Sequence, residues 1–140
     1  MISLCKCEPA DCGRLALFNR QLIEDEGSQN PMNTEELALR MRGFLEGEYS
    51  AYFFESKGEI VGYALLRLSE EPPFLRQFFI CRGRRREGLG RAAFEALLRE
   101  LSLSSLSLEV LEGNERGLAF WRALGFESYS YALRFPSRER

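Results

Sequence analysis

Apolar residues recur along the chain at two spacings, which predicts a fold that contains both strands and helices. Residues 2–8 alternate between apolar and polar, as expected of a half-buried strand, and Pro9 ends that strand. A first helix is predicted to close near residues 24–27, with its apolar positions at Leu15, Phe18 and Leu22. Asn33, with Glu36 three residues later, resembles a helix N-cap and its reciprocal partner, so a second helix is predicted to begin there.

The second half of the chain adds a hairpin and further strand and helix segments. A turn at Lys57-Gly58 separates two apolar runs, and Pro72-Pro73 precede another strand. The predicted elements are strands at 51–55, 60–68, 74–81, 106–111 and 129–135, and helices at 88–101 and 114–124. This order, β-α-α-β-β-β-α-β-α-β, predicts an α/β (α+β) fold in which a mixed sheet carries helices on both faces.

Length and composition narrow the functional classes. A chain of 140 residues with 45% hydrophobic residues predicts one domain, residues 1–140, with a packed core. A net charge of −2 argues against a dedicated nucleic-acid-binding protein. No apolar run approaches the ~18 residues of a membrane span, and no signal peptide is recognisable, so we expect a cytoplasmic protein without a membrane partner.

The absence of histidine restricts the possible chemistry. Without histidine, neither a Ser-His-Asp nor a Cys-His catalyst can form, so any general base is a carboxylate, a tyrosine, a cysteine or water. The cysteines at 5, 7, 12 and 81 do not have the spacing of a zinc site. We therefore expect no metal.

A glycine- and arginine-rich segment, residues 80–91, lies between a predicted strand and a predicted helix. Glycines at such a position let backbone N–H groups converge on a phosphate, and the helix N-terminus adds partial positive charge. Arg84, Arg85 and Arg86 place full charges beside it. The segment therefore predicts a diphosphate site.

Two phosphate-binding motifs fit this segment incompletely. A Walker A loop needs Lys-Ser/Thr where this chain has Leu89-Gly90. The Rossmann fingerprint G-x-G-x-x-A matches from Gly88 to Ala93, which keeps an NAD-binding protein as a remote alternative. In that fold, however, the first glycine follows the strand almost at once, and more parallel strands follow than remain here.

A third motif fits better. Arg85-x-x-Gly88-x-Gly90 resembles the R/Q-x-x-G-x-G/A signature of the GNAT superfamily of acyl-CoA N-acyltransferases. Residues 108–114 (Leu-Glu-Val-Leu-Glu-Gly-Asn) and 118–126, which end in Gly125-Phe126, resemble the second motif of that family. The resemblance covers the whole chain and is densest over 74–126.

The resemblance implies a GNAT fold with six or seven strands and about four helices, and acetyl-CoA as co-substrate. In this family the fourth strand carries a bulge and splays from the fifth, so that pantetheine enters the gap. The backbone N–H of Ile80 would polarise the thioester carbonyl. The implied cofactor-binding residues are Phe78, Phe79, Ile80, Arg85, Arg86, Glu87, Gly88, Leu89, Gly90, Arg91, Asn114 and Trp121.

The catalytic acid and base are less well defined. Glu109 occupies the Leu-Glu-Val position of the family and is the first candidate for the base, since Leu108 and Val110 would desolvate it. Many relatives have a tyrosine at the position of Trp121, where its hydroxyl protonates the leaving thiolate. An indole cannot do so, which leaves solvent, or Tyr129 or Tyr131, as the acid.

The acceptor site is expected along the first two helices and their loop. Asp25, Glu26 and Asn30 in that loop are candidates for binding a cationic amine. Arg76 precedes Ile80 by four residues and is expected on the same side of the strand, where it meets an acidic group of the acceptor or pairs with Glu109. The expected function is acetyl transfer to a primary amine of a small molecule, peptide or protein. The alternative is a non-catalytic module that binds acyl-CoA or a partner. Relatives are often homodimers, and no residue pattern here decides this.

Overall fold

The computed structural model describes residues 1–135, except for the side chains of Arg86 and Glu87. Four antiparallel strands form one sheet in the order β1-β2-β3-β4: β1 is Ile2–Lys6, β2 is Tyr49–Ser56, β3 is Glu59–Arg67 and β4 is Phe74–Ile80. Four α-helices accompany the sheet: α1 is Cys12–Asp25, α2 is Thr34–Glu46, α3 is Leu89–Glu100 and α4 is Glu115–Ala123. Short 3-10 helices span Pro9–Asp11 and Arg82–Glu87. The predicted helix number and the hairpin are confirmed.

Local sequence signals determine the start of α2 and the turn between β2 and β3. Asn33 accepts a hydrogen bond from the Glu36 N–H while the Glu36 carboxylate accepts one from the Asn33 N–H, which confirms the predicted capping box of α2. The β2–β3 turn consists of Lys57 and Gly58, whose φ angles are 52° and 81°. Two positive φ angles match the twist of a two-residue hairpin, and glycine adopts such an angle without steric cost.

The strand count is lower than the predicted six or seven. Among the described residues, segment 106–111 keeps one parallel bridge, Phe74 to Ser107, and residues 129–135 form no strand. Within the described residues, Ser107 accepts a hydrogen bond from the Leu75 N–H of β4 and donates one to the carbonyl of Pro73, which precedes β4, and no continuous ladder forms there. Residues 129–135 alternate like a strand, yet they are exposed and have no neighbouring strand on which to align.

The sheet separates two hydrophobic clusters. On one face, Ala93, Ala96 and Leu97 of α3 pack with residues from all four strands. On the other face, α1 and α2 cover Phe53, Tyr63 and Phe79. The buried side chains on the two faces anchor the helices whose ends surround the predicted site. No helix in the described part of the chain combines the length and the apolar character that crossing a membrane requires.

Candidate active site

The site begins with a bulge in β4. Leu65 lies opposite Gln77 and Leu66 lies opposite Leu75, so Arg76 is an extra residue without a partner in β3. Leu75 joins the cluster on the α3 face. The Gln77 side chain accepts a hydrogen bond from Tyr63, which packs on the α1–α2 face. Because of the bulge, Leu75 and Gln77 point to opposite faces of the sheet, although they are two residues apart.

The bulge also changes which backbone groups of β4 face its open edge. The Leu75 N–H points away from β3 and donates to the Ser107 carbonyl, whereas the Cys81 N–H donates to the Val61 carbonyl of β3. Since backbone direction alternates along a strand, Phe78 and Ile80 point away from β3 and toward the open edge. Phe79 was also predicted to contact the cofactor, but its N–H and carbonyl face Tyr63 in β3 instead of the open edge.

The glycine loop leads into the N-terminus of a helix. After the 3-10 turn at Arg82–Glu87, Gly88 adopts a φ of +73°, and α3 begins at Leu89. No side chain caps the helix within the described part of the chain, so the N–H groups of its first turn are available to an anion. The predictions for the side chains of Arg86 and Glu87 lie outside the described residues.

Arg85 turns toward β4 and α1. Its Nε donates to the Ile80 carbonyl at 2.8 Å, its guanidinium lies 5.4 Å from the centre of the Phe79 ring, and its Nη2 pairs with the Asp25 carboxylate. Arg82 also binds Asp25, at 3.0 Å. These contacts bring the end of α1, and therefore the predicted acceptor loop, next to Ile80.

An aromatic cluster connects the two GNAT-like motifs. Trp121 in α4 has ring contacts with four aromatic residues at centroid distances of 4.8–5.9 Å, namely Phe78, Phe94, Phe120 and Phe126. A Cβ at Gly90 would lie 2.9 Å from the Phe120 ring, so this glycine lets α3 and α4 approach each other. Asn114 caps α4 by accepting a hydrogen bond from the Gly117 N–H at 3.1 Å.

Comparisons with known proteins agree with this arrangement. A family model described as the acetyltransferase (GNAT) family matches residues 16–126. This chain belongs to the GNAT acetyltransferase family. It is therefore an acetyltransferase enzyme, and membership of the family confirms the fold class.

Solved structures share the fold of this GNAT acetyltransferase over nearly its whole length. A possible acetyltransferase from Clostridium difficile 630 is 16% identical and matches with a TM-score of 0.75, covering 100% of this chain and 99% of the other. An acetyltransferase from Thermus thermophilus is 25% identical, with a TM-score of 0.73 and coverage of 91% and 87%. An aminoglycoside N-acetyltransferase in complex with CoA is 14% identical, with a TM-score of 0.74 and coverage of 99% and 95%. No curated protein sequence matches the chain.

The GNAT acetyltransferase exposes three of its predicted catalytic side chains. Glu109 is exposed, so Leu108 and Val110 do not provide the expected desolvation. Tyr129 is 99% exposed and Tyr131 is 86% exposed, so neither hydroxyl is enclosed with the other candidate residues. The two tyrosines are exposed because residues 129–135 do not form the strand that the alternation of apolar residues predicts.

Glu26 lies in a partly buried environment, as expected of a general base. Burial raises the pKa of the Glu26 carboxyl above its ordinary value of 4.5, and the neighbouring Asp25 adds to the shift. Tyr63 is fully buried, and burial together with the Glu26 carboxylate raises the pKa of its hydroxyl, which donates to Gln77 Oε1 at 2.7 Å. Tyr63 lies opposite Phe79, the neighbour of Ile80, and the charge of Glu26 acts on the Tyr63 hydroxyl. Sequence reasoning missed Tyr63 and Gln77, because two apolar-looking strands gave no sign that their polar groups pair.

Arg76 lies on a different face from the one predicted. The bulge places it with Gln77 on the α1–α2 face, while Ile80 belongs to the cluster on the α3 face. Its guanidinium lies 4.8 Å from the centre of the Phe44 ring, and no ion pair between described residues joins it to Glu109. The predicted same-side relation to Ile80 is therefore wrong, because a bulge shifts the two-residue period by one.

The remaining predicted acceptor residue, Asn30, shapes its own loop. Its Oδ1 accepts a hydrogen bond from the Met32 N–H at 2.9 Å, and its carbonyl accepts one from Arg20. Two surface clefts of about 400 and 330 Å³ lie beside Pro9, and their lining includes no predicted site residue. Among the described residues no group of three or more Cys, Asp or Glu side chains is arranged to hold a metal ion.

Proposed function

We propose that this enzyme transfers the acetyl group of acetyl-CoA to a primary amine by direct attack in a ternary complex. The observation that carries the proposal is the pair of outward-facing backbone groups at Phe78 and Ile80, beside a helix that starts after Gly88 and that no described side chain caps. An extended pantetheine chain can pair with an open strand edge, and a diphosphate suits free N–H groups at a helix N-terminus.

Acetyl-CoA supplies a thioester whose carbonyl carbon is open to an amine, and the protein positions and polarises it. The Ile80 N–H donates to the carbonyl oxygen where negative charge develops. Backbone N–H groups at Leu89, Gly90 and Arg91 hold the diphosphate, and Phe78 contributes backbone along the slot. Arg85, already bound to Asp25 and the Ile80 carbonyl, fixes the end of β4 in place.

Glu26 is the base that we assign, directly or through one water. An amine at neutral pH carries a proton that must leave before the nitrogen can attack, and a carboxylate with a raised pKa accepts it readily. The exposed Glu109 lacks this environment. Solvent protonates the leaving thiolate, which is a fairly good leaving group because a model thiol has a pKa of about 8.5.

Gly88→Ala tests whether the helix N-terminus binds acetyl-CoA. A Cβ at a φ of +73° strains the backbone by about 1–2 kcal/mol, so the N–H groups of α3 shift away from the diphosphate. We expect acetyl-CoA to bind roughly tenfold more weakly, or worse, by calorimetry.

Gly58→Ala is the matched control, because Gly58 has a φ of +81° but lies in the β2–β3 turn. It should lose comparable stability and keep the affinity of the parent protein for acetyl-CoA. Equal affinities for acetyl-CoA in the parent protein and the Gly88→Ala variant would contradict the proposed diphosphate site.

A further inference from the structure

On the α1–α2 face of the sheet, where the acceptor is expected, the acidic and basic residues are not all paired. Three acidic residues end α1, but two of them are already neutralised: Glu24 pairs with Arg20 and Arg82, and Asp25 pairs with Arg82 and Arg85. Among the ion pairs of the described residues, Glu26 is therefore the one acid of this helix end that has no cationic partner. Of the acids at this helix end, the loop that the sequence predicts to bind a cationic amine therefore offers a single carboxylate without an ion pair among the described residues.

Two arginines on the same side have no acidic partner in the part of the chain that the structure describes. The guanidinium carbons of Arg40 and Arg76 lie 5.5 and 4.8 Å from the centre of the same Phe44 ring. Among the ion pairs between described residues, none includes either arginine. Within the same residues, Arg40 donates only to the neutral Asn19 side chain, at 3.1 Å, and its buried Nε has no hydrogen-bond partner.

The guanidinium group of the partly buried Arg40 is repelled by that of the exposed Arg76. Desolvation is the main cause that lowers the pKa of Arg40, and the charge of Arg76 lowers it further. Aromatic faces give each cation some compensation, but a negative charge would interact favourably with both. The geometry thus leaves an anion-binding position that no carboxylate of the described residues fills.

Arg76, the member of the anion position that belongs to β4, lies on the same strand as Ile80 but well away from it along that strand. Arg76 precedes Ile80 by four residues and is the bulged residue of β4. At about 3.3 Å per residue, this corresponds to roughly 10–13 Å along the strand. An α-amino acid, whose amine and carboxylate are adjacent, is too short to reach from one point to the other.

We infer that the acceptor is an amine that carries a carboxylate several bonds away, as in an ω-amino acid or a short peptide, with the carboxylate bound by Arg40 and Arg76. The inference rests on the proposed acetyl transfer for the position of the amine, which Glu26 receives near Ile80. Polycationic amines, including aminoglycosides, are disfavoured because they would meet two unpaired arginines.

Matched pairs of acceptors test this inference. 6-Aminohexanoic and 8-aminooctanoic acid are compared with their carboxamides, which differ only in the negative charge, and with kanamycin as a polycation. With acetyl-CoA as donor, we expect kcat/KM to favour each acid over its amide by about tenfold, a typical gain for one charge-assisted contact. Calorimetric titration of the same compounds into the complex with CoA measures the preference without requiring turnover.

Arg76→Gln is the decisive variant, since Arg76 is exposed and its loss does not disturb the core. The ratio of acid to amide should fall toward one in Arg76→Gln and return in part in Arg76→Lys. Arg42→Gln, an exposed arginine of α2 outside the pair, should keep the ratio of the parent protein. Thermal unfolding checks that each variant is folded.

The outcomes separate this inference from the proposed function. Turnover with equal rates for acids and amides, or with kanamycin preferred, overturns the inference and leaves acetyl transfer intact. An acid preference that survives in Arg76→Gln also overturns it. If acids bind better than amides and Arg76→Gln removes that preference, but no amine is acetylated, the anion site stands and the proposed function fails.

Discussion

Glu26, the base that we propose, differs from its acidic neighbours in burial rather than in residue type. It is one of three consecutive acids, and only the neighbours from β3 and the charges of Arg82 and Arg85 distinguish it from Glu24 and Asp25. These neighbours lie far away in sequence, so the sequence predicted a role for the loop but could not choose the residue. The resemblance to the family favoured Glu109 as the base, but its apolar neighbours in sequence do not enclose it.

Glu26→Gln should reduce activity at neutral pH. Loss of a general base typically costs 10²–10⁴ in rate, so we expect kcat to fall by about a hundredfold. Glu109→Gln, the matched variant at an exposed site, should change kcat by less than about threefold. Steady-state thiol release at saturating acetyl-CoA measures both, and the reverse ranking would assign the base to Glu109.

The same substitution should stabilise the fold at neutral pH. Because the folded pKa of Glu26 is raised above 4.5, the folded state binds this proton more tightly than the unfolded state does. That contribution is present below pH 4.5 and is lost as the pH rises through the folded pKa. Thermal unfolding should therefore show Glu26→Gln more stable than the parent at about pH 7, with the difference shrinking toward about pH 4. A constant difference across this range would contradict the burial of the charge.

We expect Trp121 to act through packing rather than as a proton donor. It contacts four aromatic rings, and no hydrogen bond of its indole is seen among the described residues. Trp121→Phe keeps a ring in the cluster, so kcat should stay within about tenfold, or about 1.4 kcal/mol in the barrier. A thousandfold loss of kcat, measured by thiol release, would show that the indole takes part in the chemistry.

At the scale of elements, β4 concentrates the features that the sequence could not predict. The capping box of α2 and the turn at Lys57-Gly58 were predictable because each depends on residues a few positions apart. The bulge at Arg76 depends on how β4 meets β3, and a strict two-residue period places Arg76 on the wrong face. The missing strand at residues 129–135 has a similar cause, because alternation describes a side-chain pattern and does not supply a partner strand.

Gly62 in β3 allows the backbone of β4 to approach closely. A Cβ at this position would lie 1.9 Å from the Phe79 carbonyl oxygen, a backbone atom that cannot move aside cheaply. Gly62→Ala should therefore destabilise the fold by about 1–3 kcal/mol and weaken acetyl-CoA binding through displacement of Ile80. Gly43→Ala in α2, where nothing lies within 4 Å of the added Cβ, should be neutral or slightly stabilising. Chemical denaturation compares the two, and equal stabilities would contradict the close approach of β3 and β4.

At the scale of the whole molecule, we expect acetyl-CoA and the amine acceptor to bind on opposite sides of the sheet, at the end of β4. The α3 side presents a helix N-terminus for a diphosphate, and the α1–α2 side presents Glu26 and the two arginines. Arg85 joins the two sides by binding both Asp25 and the Ile80 carbonyl. The single domain, the oligomeric state and the place of the protein in the cell stay predictions from the sequence.

The most direct measurement of the central claim is amine-dependent release of free thiol from acetyl-CoA, with the product identified by mass spectrometry. We predict thiol release that requires both the protein and an amine, together with a product that is heavier than the amine by one acetyl group. Tight binding of NAD with no binding of acetyl-CoA, or thiol release that is unaffected by any amine across a diverse library, would contradict acetyl transfer to an amine.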